Sequence, residues 1–146
     1  MKKRQSGVLM HISSLPGKYG IGSFGQSAYD FVDFLVRTKQ RYWQILPLGT
    51  TSYGDSPYQS FSAFAGNTYF IDFDILIEEG LLNEADVKGA DFGDNPRKVD
   101  YAKIFDARRP IMEKAVARFL KAEDLSDYES FVEQNAAWLE VFAEYM

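Results

Sequence analysis

The 146-residue sequence contains no cysteine and a single histidine, His11. Without cysteine there is no disulfide, thiol nucleophile or thiolate metal site, and the composition suits a reducing compartment such as the cytoplasm. One imidazole is too few for a histidine-rich metal centre and leaves His11 as the only base for a Ser-His-Asp arrangement. His11 closes an apolar run, and the simpler reading is a ring whose nitrogens are satisfied locally. Clustered positive charge is also missing. The 16 Lys and Arg are scattered among 21 Asp and Glu for a net charge of −5, which argues against a nucleic-acid partner. Long hydrophobic runs are absent too. After Lys2-Lys3-Arg4, the stretch Val8-Leu9-Met10 meets His11 and soon Pro16, too short for a signal-peptide core. No segment reads as a membrane span.

What the chain does have is aromatic residues, 16% of the total as 12 Phe, 9 Tyr and 2 Trp. With 46% hydrophobic and 25% charged residues, the balance is that of a single globular domain. Phe buries without needing a polar partner and belongs mainly to the core. Tyr pairs a flat apolar face with a wet hydroxyl, so tyrosines gathered in a loop point to carbohydrate.

Ser6 to Ile12 reads as a strand buried on both faces, stopped by Ser13-Ser14-Leu15-Pro16-Gly17. A helix follows from Ser27 to about Thr38, with Ala28, Phe31, Val32 and Leu35 inward and Ser27 with Asp30 as a capping box. Tyr42 to Leu48 is a second strand. Strand, helix and strand in this order make a βαβ unit with parallel strands. Thr50 to Asn67 is a long loop rich in turn residues and aromatics, and loops of that length tend to be functional. Beyond it the pattern predicts an extended Thr68 to Phe73, a brief helix from Ile75 to Leu82, and a polar connection from Asn83 to Pro96. A long helix from Asp100 to Lys121 is bent or restarted at Pro110, with Ile104, Ile111, Ala115, Val116 and Phe119 inward. A last helix from Ser126 to Met146 carries Phe131, Trp138, Leu139 and Phe142 in phase and still runs where the sequence stops, as a piece of a longer protein would.

Gly20-Ile21-Gly22-Ser23-Phe24-Gly25 matches the dinucleotide-binding G-x-G-x-x-G but fails on context. Residues 13–19 separate it from the strand, and no acid ends the second strand. The glycines read instead as a tight backbone path, and no cofactor is expected. The loop from Tyr53 to Ser60 brings two stacking rings, Tyr53 and Tyr58. Asp55, Ser56, Gln59 and Ser60 add groups able to meet sugar hydroxyls, and Gly54 and Pro57 fix their directions. On composition alone a surface loop covering its own base is an equal reading. No two carboxylates are placed to act as the pair that glycosidic chemistry requires. Asp55 is the only acid in the first two strand-end loops, Asp72 and Asp74 flank one short segment, and the later acids read as solvated helix faces.

Ser14-Leu15-Pro16-Gly17 with Tyr19 to Gly22, then Arg41 to Gly49, then Tyr53 to Asn67 closely resemble the start of the 4-α-glucanotransferases of glycoside hydrolase family 77. The resemblance is tight over about residues 6–75 and looser to the end of the chain. It implies an α/β fold, the N-terminal part of a (β/α)8 TIM barrel left incomplete here, with about 1–75 as the first βαβ unit and glucan-binding loop and about 76–146 as a helical insertion. It implies glucan transfer between maltooligosaccharides or other α-1,4-glucans by a retaining double displacement. The three acids that carry it lie on later strands, so no catalytic residue is expected within 1–146. Carried over residue by residue, Tyr58 resembles the ring stacked beside the sugar at the cleavage point, with Ser56 close by and Gln59 in support. Tyr53 resembles part of an outer glucan site, with Phe105 as a second ring where some relatives have Tyr. Asp55 fits a loop-ordering role. Uncovered strand edges of an incomplete barrel would favour self-association. The alternative is a catalytically silent α-glucan-binding or structural fragment.

Overall fold

A computed structural model describes residues 4–146; Lys2 and Lys3, considered above as part of a signal-peptide start, lie outside them. The chain is α/β. Strand β1 (Gly7–Leu9) leads through a 3-10 turn (Ile12–Ser14) to helix α1 (Gln26–Arg37), and strand β2 (Tyr42–Gln44) follows. The two strands pair in parallel with Val8 opposite Trp43, as the βαβ pattern predicts. The pairing is extended by Met10 N–H donating to the Gln44 carbonyl at 3.0 Å and Arg41 N–H to Ser6 at 2.8 Å. Both strands are shorter than the apolar runs that contain them. Neither is buried on both faces: Gly7, Leu9, Tyr42 and Gln44 are exposed. Each strand has one partner among the described residues, so one side of each remains open.

Helix α1 begins at Gln26 with Gly25 as its cap, so the Ser27–Asp30 capping box does not form; Asp30 accepts instead from the Gln26 amide at 2.8 Å. Ala28 and Leu35 are buried, Phe31 meets Trp43 edge-on at 4.9 Å, and Val32 is exposed. The glycine path before α1 is as tight as its sequence predicts. A Cβ on Gly22 would lie 2.0 Å from the Ile12 carbonyl oxygen, and one on Gly25 would lie 2.1 Å from Asp72 Oδ2. Packing, not phosphate binding, requires these glycines.

After the long loop, residues 68–73 are not extended. Thr68–Phe70 forms a 3-10 turn capped by Asn67, and α2 spans Phe73–Glu78 with Asp72 as N-cap, its side chain accepting from Asp74 and Ile75 N–H. A cap satisfies two orphan helix donors, an advantage that strand propensity in Thr-Tyr-Phe-Ile does not offset. The connection after α2 also contains a short helix, α3 (Glu84–Val87), opened by a reciprocal Asn83–Asp86 capping box. Helix α4 (Tyr101–Phe119) runs unbroken through Pro110, and α5 spans Ser126–Tyr145. Pro110 and Asp106 both lie on the exposed side, where water can satisfy the carbonyl that Pro leaves without a donor. The buried stripe of α4 is Ile104, Arg108, Ile111 and Ala115, while Val116 stays exposed and Phe119 half-buried. Helix α5 buries no residue fully, and of its four inward candidates Phe131 is exposed. No helix among the described residues is long and apolar enough to cross a membrane.

The core has two clusters. One gathers Ile12, Leu15, Ile21, Phe70 and Ile104; the other gathers Tyr19, Phe73, Leu82, Ile111 and Ala115. Helix α4 contributes to both and so joins the βαβ unit to the short helices. Its second tie is ionic: Asp86 pairs with Arg118 at 2.6 Å and Lys114 at 3.4 Å, joining α3 to α4. The Arg118 guanidinium above all holds the Asp86 carboxyl down to about 2. A folded value below the unfolded one means that the pair contributes fully above the ordinary carboxylate range and is lost as pH falls from about 4 toward 2. Amide exchange across residues 84–90 is therefore expected to quicken over that interval, and Asp86→Asn should abolish the change in rate beyond the intrinsic effect of pH. An unaltered pH profile in the variant would show that the ion pair contributes nothing.

Candidate functional site

The C-terminal ends of β1 and β2 lie side by side, the place where parallel sheets bind their ligands. Two residues after β1 comes His11, 8% exposed, whose Nδ1 accepts the Leu46 N–H at 3.3 Å and whose ring meets Phe70 edge-on. Burial pulls its pKa below the ordinary histidine value. The ring thus ties the tip of β1 to the segment after β2, with its Nδ1 satisfied locally.

After β2 the chain forms a closed loop. A bridge between Gly49 and Gly66 and the Asn67 N–H donating to the Leu48 carbonyl at 2.8 Å clasp its two ends. Within it Ser62 Oγ accepts from Phe64 and Ala65 N–H at 3.1 Å, and Ser60 Oγ donates to the Ser62 carbonyl at 2.7 Å. Joined ends and an internal hydrogen-bond set give the loop a defined backbone path.

Its aromatics divide into two groups. Phe64 stacks on Trp138 at 5.6 Å and Phe61 tilts against Tyr145 at 5.5 Å, so α5 supports the far half of the loop. Tyr53 and Tyr58, in the near half, stand 101% and 72% exposed. Phe61 and Phe64 keep much of their surface exposed but pair with α5 rings, whereas Tyr53 and Tyr58 have no aromatic partner among the described residues. Ser56, Tyr58 and Gln59 are brought together in one turn: Tyr58 N–H donates to Ser56 Oγ at 3.3 Å and Gln59 N–H to the Ser56 carbonyl at 3.0 Å. Phe105 is half exposed on α4, and no aromatic pairing among the described residues joins it to Tyr53.

Two recesses adjoin the loop. The larger, about 360 Å3, is apolar, lined by Phe24, Leu48, Phe70, Ile71, Ile75 and Leu76. Its one acid, Asp72, is engaged as a helix cap and by the Ser23 hydroxyl. The smaller, about 130 Å3, sits at the strand tips and mixes polar groups of His11, Ser13, Thr51, Asp55, Asn67 and Tyr101 with the apolar Ile21, Leu46, Pro57 and Phe70. Sugar chemistry suits the second. Asp74, like Asp72, is structural: it accepts from Lys18 at 2.8 Å and from Tyr19 at 2.5 Å. Sequence reasoning did not single out Tyr101 or the α5 rings, because both reach the loop only through the fold.

A profile of the 4-alpha-glucanotransferase family matches residues 10–146. The 4-alpha-glucanotransferase of Streptococcus pneumoniae serotype 4 is 75% identical over the whole chain, which spans 29% of that protein. The Thermus thermophilus 4-alpha-glucanotransferase is 44% identical over 98% of the chain and 28% of its own length. Among solved structures, the amylomaltase from Streptococcus agalactiae in complex with acarbose superposes with a TM-score of 0.92 at 59% identity, covering 99% of this chain and 29% of that one. The chain therefore spans under a third of the length of these relatives. On a match that takes in nearly every residue and keeps the backbone as well as the sequence, this chain belongs to the 4-alpha-glucanotransferase family.

Proposed function

We propose that this chain forms the N-terminal part of a 4-α-glucanotransferase that moves α-1,4-glucan segments between maltooligosaccharides in the cytoplasm. Residues 1–75 would supply the first βαβ unit of a (β/α)8 barrel and one wall of its cleft, and 76–146 a helical insertion. The observation that carries this is the clasped loop at the strand tips, which pairs Phe61 and Phe64 with rings of α5 yet leaves Tyr53 and Tyr58 exposed and without an aromatic partner among the described residues. Exposed rings on a clasped loop, next to a recess that carries hydroxyl, amide and carboxylate groups, offer a sugar both a stacking face and polar partners. Tyr58 takes the glucosyl unit at the cleavage point, with Ser56 and Gln59 in support, while Tyr53 and Phe105 belong to an outer glucan site. That the amylomaltase neighbour is a complex with acarbose supports an oligosaccharide in this cleft.

The reaction is a double displacement. A carboxylate attacks the anomeric carbon while a carboxylic acid protonates the departing oxygen, and a second glucan hydroxyl then takes the sugar from the enzyme with retention. Those acids belong to later strands, which would pair with the open edges of β1 and β2; in the chain alone, the same edges favour self-association.

Incubation with maltotriose tests the reading. The full-length protein should yield glucose together with longer maltooligosaccharides, and residues 1–146 alone should yield neither. Transfer by the isolated chain would overturn the placement of the acids, and maltotriose left unchanged by the full-length protein would overturn the activity.

A further inference from the structure

Asp55 lines the smaller recess at the strand tips, beside His11, Ser13 and Tyr101, and is the only acid on that wall. Many aspartates in loops and at helix starts of this chain order nearby backbone. Asp72, Asp86, Asp91, Asp100 and Asp124 each accept a backbone N–H from within four residues. Asp55 differs from all five. It is half-buried, yet no donor among the described residues reaches its carboxylate; only its own N–H is engaged, donating to the Ser52 carbonyl at 2.9 Å. Burial without compensating hydrogen bonds raises its pKa above the ordinary aspartate value. Its negative charge in turn adds to the raised values of Tyr69 and Tyr101, which burial chiefly sets.

The backbone sets the direction in which the Asp55 side chain leaves the loop. Asp55 has φ 54°, a left-handed conformation that follows Gly54 at φ 94°. Asp tolerates this region at a modest cost, and such residues gather where a site requires a direction that relaxed backbone does not give. A partly desolvated carboxylate with every lone pair free is matched by neutral donors in adjacent pairs, such as the vicinal hydroxyls of a pyranose ring. Cations would match it as well, but none lines the recess.

We propose that Asp55 is a substrate-binding residue whose carboxylate accepts hydrogen bonds from hydroxyls of a glucosyl unit held at the strand tips beside Tyr58. This replaces the loop-ordering role that its sequence position implied, and it rests on the glucan reading above. Tyr58 supplies the apolar face of the contact and Asp55 its polar edge, so the two select a ring that presents both.

The test is Asp55→Asn in the full-length protein, because Asn occupies left-handed backbone as readily as Asp and keeps the side-chain size. Calorimetric titration with maltoheptaose should show affinity falling at least about tenfold, as expected for loss of charge-assisted hydrogen bonds. The melting temperature should stay within about 2 °C of the parent, a change too small for a lost structural contact in a protein of this size. Affinity within twofold of the parent would overturn the proposal, and so would weakened binding accompanied by a larger fall in melting temperature, which marks an acid that orders the loop. A parent that binds maltoheptaose but does not transfer would sink the transferase reading alone. One that does not bind at all would sink both.

Discussion

Tyr58→Ala in the full-length protein is expected to lower kcat/KM on maltotriose about a hundredfold, while Tyr58→Phe should stay within about threefold. The ring is 72% exposed, so a sugar face laid on it removes most of that surface from water. Covering a large apolar side chain is worth about 1.5–3 kcal/mol, and face-to-ring geometry adds about 0.5–1.5 kcal/mol. A combined loss near 2.7 kcal/mol is about a factor of a hundred. Phe keeps the face and forfeits only the hydroxyl, which makes no hydrogen bond among the described residues. The fold should be indifferent to either change, because an exposed side chain without a partner contributes within about 0.5 kcal/mol. Steady-state kinetics with parallel thermal melts decide the matter. Activity within threefold for Tyr58→Ala would remove the stacking role.

The largest effect on stability is expected at Arg108. It is 2% exposed, its Nη2 donates to the Ile71 carbonyl at 2.5 Å, its Cζ lies 4.1 Å over the Phe73 ring, and its Nε has no partner. Burial pulls the guanidinium down to about 10, with Asp72 opposing, so it is still charged at neutral pH. Arg108→Ala empties a large volume and strips the Ile71 carbonyl of its donor. Cavity creation costs about 2–5 kcal/mol and an orphaned carbonyl about 1–3 kcal/mol, offset in part by release of the buried charge, so a net loss of about 3–4 kcal/mol is expected. Arg108→Met refills the space without a charge, and replacing a buried ion by an apolar group is often neutral, so its cost should stay near 1 kcal/mol. Urea unfolding of the two variants measures the difference. Equal losses would mean that the carbonyl contact dominates over packing and charge.

Much of this site was legible in the residues. The parallel βαβ order followed from two short apolar runs on either side of a helical repeat, because period and turn residues are local properties. The loop from Tyr53 to Ser60 was legible by its composition, and both of its tyrosines are exposed. The glycine run was legible as a tight path because its distance from the first strand ruled out a phosphate turn. Errors gathered where capping competed with propensity: Asn67 and Asp72 turned a strand-like Thr68 to Phe73 into a 3-10 turn and a helix start, and Gly25 displaced the box built on Ser27.

Contacts between distant segments were not legible. Nothing around Trp138 or Tyr145 announces that α5 supports the far half of the clasped loop, and nothing around Arg108 announces that its charge lies over Phe73. Asp55 reads from sequence as one more turn acid, and only its unmet carboxylate beside Tyr101 sets it apart. The sequence by itself determined the first βαβ unit, the long helices and the family, all of which depend on neighbours along the chain. The tertiary structure decided which rings were spent on packing and which stayed free, because burial is settled by what arrives from elsewhere in the chain.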